Sequence, residues 1–171
     1  LSYPNGATEG LGVVQQSGVY RLIAPQGAPY AGLAEPDSGY PGGWKVTLFY
    51  RDCSRLIFAP VSQQSLNDFR LVGIVNPAGN AVGLWYQDGL LRFVRAGTTN
   101  LLELIYAGNG LLSQAKAYDT SGSNYAAVSY THQQLDDSNF HLTQVSQVNA
   151  PASLRWGFAY GYLFTRGDGS R

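Results

Sequence analysis

From Trp44 to Val94 the chain is interrupted too often for a helix to form, and that property constrains the fold more than any other. Trp44, Val46, Leu48 and Tyr50 alternate with Lys45, Thr47, Phe49 and Arg51. A period of two marks a strand with one buried face. Asp52-Cys53-Ser54 reads as a turn, Arg55 to Val61 as the returning strand and Phe69 to Val75 as a third. The run Asn76-Pro77-Ala78-Gly79-Asn80 stops that strand with small and turn-forming residues. Ala81 to Gln87 and Leu90 to Val94 flank Asp88-Gly89, a pair that tolerates the positive φ angles of a type I′ hairpin turn.

The flanks continue the pattern. Leu11 to Val14 is an edge strand or the last piece of a preceding extended module, and Val19 to Ala24 is a strand turned by Pro25-Gln26-Gly27. Tyr30 to Ala34 returns briefly before Glu35 to Gly43, an irregular surface connection. Asn100 to Tyr106 and Leu111 to Tyr118 flank Ala107-Gly108-Asn109-Gly110, a second hairpin closed by Asn-Gly. Asp119 to Asn124 reads as a flexible polar loop and Tyr125 to Tyr130 as a strand. Thr131 to Asn139 is hydrophilic, with room for one helical turn. Phe140 to Val148 alternates until Pro151 breaks it, and Arg155 to Thr165 is predicted as an aromatic closing strand of the core. About a dozen strands with frequent turn signals are the signature of a sandwich or barrel. The predicted fold is all-β, an antiparallel β-sandwich with little or no helix. Residues 1–18 are a possible end of a preceding shaft and 19–171 a single head domain.

Composition removes several classes of function. Eleven basic and eleven acidic side chains balance to zero, and only 13% of residues are charged, so no basic stripe is available for nucleic acid. No apolar run approaches a membrane span and no signal-peptide pattern is present, so membrane insertion is not expected. The lone Cys53 rules out an intrachain disulfide and is expected as a half-buried structural thiol at a strand end. The absence of Met is expected of a fragment or a processed protein.

No catalytic set is legible. His132 and His141 have no metal-ligand spacing with Cys or with each other, so catalytic residues, metals and cofactors are expected to be none. A glycosidase pair of carboxylates would have to come from Glu9, Glu35 and Glu103. The sharper candidates are for binding. Arg166-Gly167-Asp168 is a tripeptide whose guanidinium and carboxylate can engage an integrin-like receptor from an exposed terminus. Tyr118, Asn124 and Tyr125 bracket a polar loop, and such aromatics stack on a sugar face, anchor an interface or close the core at strand ends. Trp85, Arg92 and Asn100 would line a glycan-binding groove in a lectin-like module.

The segment KVTLFYRDCSRLIFAPVS, Lys45 to Ser62, resembles an early strand pair of the adenovirus fibre head. LVGIVNPAGNAVGLWYQDGLLRF resembles that family's next segment, GLGVVQQSGVYRL its last shaft repeat and WGFAYGYLFT its closing strand, whereas the Leu-Trp-Thr shaft–head junction is absent. Two further likenesses are weaker. YRLIAPQGAPYAGLAEP followed by GWKVTLFY looks like the galectin-like head of rotavirus spikes, and LLRFVRAGTTNLLELIYAGNGLLS is similar to a strand pair of norovirus protruding domains. All three resemblances imply receptor attachment from a virion projection, and none carries a receptor-site motif onto these positions.

The expectation is therefore a non-catalytic attachment head on the virion surface, made in the host cell and binding a cell-surface glycan or integrin-like protein. The fibre-head resemblance implies a homotrimer, and low charge on a chain of this length suggests a face covered by partners. The binding loops would lie at one end, at Glu35 to Gly43, Asn76 to Asn80 and Asp119 to Asn124. The alternatives are a monomeric galectin-like carbohydrate-binding module and a β-sandwich glycoside hydrolase.

Overall fold

The computed structural model describes residues 12–63, 66, 68–134, 139–148 and 155–158. Thirteen strands account for most of them: β1 Gly12–Gln16, β2 Val19–Ile23, β3 Tyr30–Pro36, β4 Trp44–Tyr50, β5 Arg55–Pro60, β6 Phe69–Val75 and β7 Ala81–Gln87. β8 Leu90–Ala96, β9 Thr99–Tyr106, β10 Leu112–Tyr118, β11 Asn124–Gln134, β12 Phe140–Gln147 and β13 Arg155–Gly157 follow. By contact the chain divides into two compact units, residues 1–101 and 102–171. In the first, β1 to β8 each pair antiparallel with the next strand along the chain. In the second, β9 to β13 do the same. The all-β antiparallel class expected from the sequence is what the chain adopts.

Short connections make this order possible, and one turn recurs. In Tyr50–Ser54, Asn76–Asn80, Ala107–Leu111 and Asp119–Ser123 the first N–H donates to the fifth carbonyl, and the fourth N–H donates back to the first carbonyl. The fourth residue takes a positive φ in each case: Cys53 at 68°, Gly79 at 86°, Gly110 at 79° and Gly122 at 83°. This is a type I turn followed by a one-residue bulge. The fifth N–H also donates to an Asp or Asn side chain, to Asp52, Asn76, Asn109 or Asp119. The turn at Ala107–Leu111 is therefore a bulged hairpin, the connection expected between β9 and β10 with Asn109-Gly110 at its end. Asp88-Gly89 does form the two-residue turn, with φ of 52° and 74°.

Other expectations are revised. Asp119 to Asn124 is a tied turn rather than a flexible loop, because the Asp119 carboxylate accepts from Ser121 N–H, Ser121 Oγ–H and Ser123 N–H. Residues 131–134 of the stretch with room for a helical turn extend β11, and residues 135–138 lie outside the described ones. Of the expected aromatic closing strand, the described residues form β13 at Arg155–Gly157. Trp156 and Phe158 are exposed there, not in the core, and residues 159–165 lie outside the described ones. Cys53 is exposed at its turn and not half-buried.

The core is small. Among the described residues Leu48, Ala59, Val75 and Ala127 are the buried hydrophobic ones. Thr47, at 5% exposure, is buried beside Leu48, at 1%. Consecutive strand residues point to opposite faces, so β4 is covered on both, and not on the one face its alternation suggested. Three strand glycines help the sheet pack. A side chain lies where their Cβ would be: Leu22 over Gly32, Ile57 over Gly73 and Trp85 over Gly83.

A candidate ligand-binding groove

An open groove of about 650 Å3 runs along β6 and β7 in the first unit. Tyr40, Pro41 and Tyr86 stand at one end, Val75 and Ala81 at the other. Its floor follows from register. Ile57 pairs with Gly73, Gly73 with Gly83 and Gly83 with Arg95, so these four residues form one row across the sheet on one face; the first three line the groove and Arg95 stands outside its lining. Two glycines side by side make the trough, and the side chains that flank them make its walls. A strand of seven residues is roughly 23 Å long, enough for an elongated ligand.

Trp85 is the most exposed aromatic of the groove, at 44%. A Cβ on Gly83 would fall 2.1 Å from the Trp85 ring, so the outer edge of the indole occupies space that any side chain at this position would need. The Arg95 guanidinium carbon stands 5.1 Å from the Trp85 ring centre and 4.6 Å from that of Phe93. Arg95 Nε donates to Asn100 Oδ1 at 2.7 Å. These contacts hold a flat cation over the two aromatic rings.

The 37–43 connection closes one end of the groove. Asp37 accepts from Gly39 N–H and pairs with Lys45 at 3.1 Å, and Lys45 also meets Glu35 at 3.3 Å. The Gly39 N–H and then the Lys45 ammonium hold the Asp37 carboxyl below its ordinary value, and Asp37 holds Lys45 above its own. At the same end Arg70 donates to the Gly89 carbonyl and pairs with Asp68, while Tyr86 Oη donates to the Leu71 carbonyl.

Of the three residues named from the sequence for a glycan groove, Trp85 lines it; Asn100 and Arg92 do not, although Asn100 bonds to Arg95, which stands over the Trp85 ring. Arg92 does not join that contact. A bulge pairs Trp85 with Phe93 and Tyr86 with Leu91, so the register skips Arg92 and brings Arg95 to the Trp. Sequence reading missed Arg95; counting one extra residue on β8 would have found it. In the second unit Tyr118 Oη donates to Glu103, whose carboxylate also meets Lys116 at 3.4 Å. The Glu103 bond and then desolvation raise the Tyr118 phenol above its ordinary value. Asn124 is exposed and pairs with Tyr118 across a bulge. The side chain of Tyr125 and all of Arg166, Gly167 and Asp168 lie outside the described residues.

The expected cluster of loops at one end does not form within the first unit. In a chain-order sheet alternate turns lie at opposite strand ends, so Glu35 to Gly43 and Asn76 to Asn80 are separated by the length of the strands. His132 pairs with Leu142 and Gln133 with His141, which puts the two imidazoles on opposite faces. Among the described residues no three His, Cys, Asp or Glu gather to hold a metal, and no helix is long and apolar enough to cross a membrane. No family model, curated protein or solved structure matches the chain.

Proposed function

We propose that this protein is a non-catalytic attachment module that binds carbohydrate in the β6–β7 groove. The observation that carries this reading is the Trp85 ring, whose outer edge rests against Gly83 and which is nearly half exposed in an open trough. The C–H face of a pyranose stacks on such a surface, and hydrogen-bonding groups beside the ring then select among sugars. A shallow, open site binds each sugar weakly. Display of several copies on a trimeric head at a virion surface, the setting implied by the fibre-head resemblance, would convert weak sites into firm attachment.

Glycan-array binding tests the reading directly. Wild-type protein is expected to retain a defined set of oligosaccharides and Trp85→Ala to lose them while its far-ultraviolet spectrum stays the same. Equal retention by Trp85→Ala, or no retention of any glycan by the wild type, would sink the proposal. A protein receptor would then take its place, found by cell-surface pulldown.

A further inference from the structure

We infer that the groove selects uncharged oligosaccharides and rejects anionic ones, with Asp37 as the residue that accepts from their hydroxyl groups; this rests on the carbohydrate-binding reading above. Among the described residues lining the groove, Asp37 is the one that carries a charge. Lys45, Arg70 and Arg95 stand outside that lining, and each is already engaged. Lys45 meets Glu35 and Asp37, Arg70 pairs with Asp68, and Arg95 is held by Asn100 and two aromatic rings. A carboxylate or sulfate carried into the groove by a sugar would lose part of its hydration, meet no cation in the described lining and face a carboxylate of its own sign.

The same carboxylate suits a neutral ligand. Its Oδ1 accepts from Gly39 N–H at 2.9 Å and its Oδ2 from the Lys45 ammonium at 3.1 Å. Its orientation is therefore set before a ligand arrives, so little side-chain entropy remains to be lost on binding. The two oxygens of a carboxylate offer about four acceptor sites, and Gly39 and Lys45 take two. The others match neighbouring hydroxyls on a pyranose rim, each of which donates one hydrogen bond to a charged acceptor. Around this end the lining is apolar or aromatic: Tyr40 and Pro41 come from the same connection as Asp37, and Val61, Leu84 and Tyr86 from the sheet. Such walls pack against the C–H surfaces of a sugar and leave orientation to the few polar groups present.

The test is titration calorimetry with tetramers of glucose, mannose and galactose, each beside the tetramer of the same linkage oxidised at its primary alcohols to the uronate. Oxidation leaves the ring and adds the charge. A neutral tetramer is expected to bind about tenfold more tightly than its uronate, the scale of leaving a charged group unpaired. The gap is expected to narrow as salt is added. Asp37→Asn keeps an acceptor oxygen for Gly39 N–H and loses the charge, and is expected to close the gap. Because the neutral–uronate comparison is made on the wild type, a poorly folding variant does not affect it. Equal or tighter binding of the uronates overturns this inference and leaves the carbohydrate reading standing. A folded Asp37→Asn variant that keeps the full gap, or a glycan array that retains acidic glycans alone, does the same. No binding of any saccharide in either assay overturns both.

Discussion

At the scale of the residue, Gly83 and Asp119 show how one atom group sets local structure. Gly83→Val would place a Cβ 2.1 Å from the edge of the Trp85 ring, so the indole must shift. The expected cost is about 1–3 kcal/mol of stability, as for other overpacked sites, together with a shifted tryptophan emission. The same substitution in a Trp85→Phe background should leave the emission unchanged, since Trp44 and Trp156 report from elsewhere. An unshifted emission in the parent background would mean that the ring does not rest on the glycine.

Asp119 gives a prediction in pH. Its carboxyl is held below the ordinary value by the Ser121 hydroxyl first and by backbone N–H groups after it. A carboxyl whose value is lowered on folding stabilises the fold at pH above its unfolded value, and loses that contribution as pH falls through the folded one. Asp119→Ala is thus expected to unfold at lower denaturant than the parent near neutrality, with the gap closing as pH falls through the folded value of the carboxyl. A gap that persists in acid would place the effect elsewhere.

The recurrent bulged turn belongs to the scale of the element. Its αL position is filled by Gly in three of the described copies and by Cys53 in the fourth. A side chain in that conformation costs roughly 1–2 kcal/mol, part of which returns through lower entropy in the unfolded chain. Cys53→Gly is therefore expected to stabilise the protein by about 0.5–1 kcal/mol, and Gly122→Ala to destabilise it by about the same amount. Denaturant midpoints of the two variants check both signs together. The turns were largely legible in sequence, because Asx and Gly at fixed offsets carry a mechanism. The exact turn was less so: Asn109-Gly110 and Asp88-Gly89 look alike, yet Ala107 and Leu111 close a longer ring around the first pair.

Stability and assembly are properties of the whole molecule. With few fully buried side chains, each one matters. Leu48→Ala removes the most buried large side chain and is expected to cost about 2–5 kcal/mol, read as a fall in the denaturant midpoint. Exposed apolar side chains such as Val13, Val14 and Ile23 in the first unit and Phe140 and Trp156 in the second agree with a chain whose faces are partly covered by partners. Light scattering over a concentration series is expected to give three times the 18.5 kDa of the chain. A mass of one chain at every concentration would remove the trimer from the proposal and leave the groove as a monomeric lectin-like site.

Period-two alternation and Asx-Gly turns were sufficient by themselves to determine an antiparallel β chain, with strand limits that moved by only a few residues. They work locally: a turn residue acts on the backbone beside it, and alternation acts within one strand. The burial of Thr47, the row Ile57, Gly73, Gly83 and Arg95, and the exclusion of Arg92 were decided only by tertiary structure. Each depends on the register between strands, and a single bulge shifts that register by one residue without leaving a mark in composition or period.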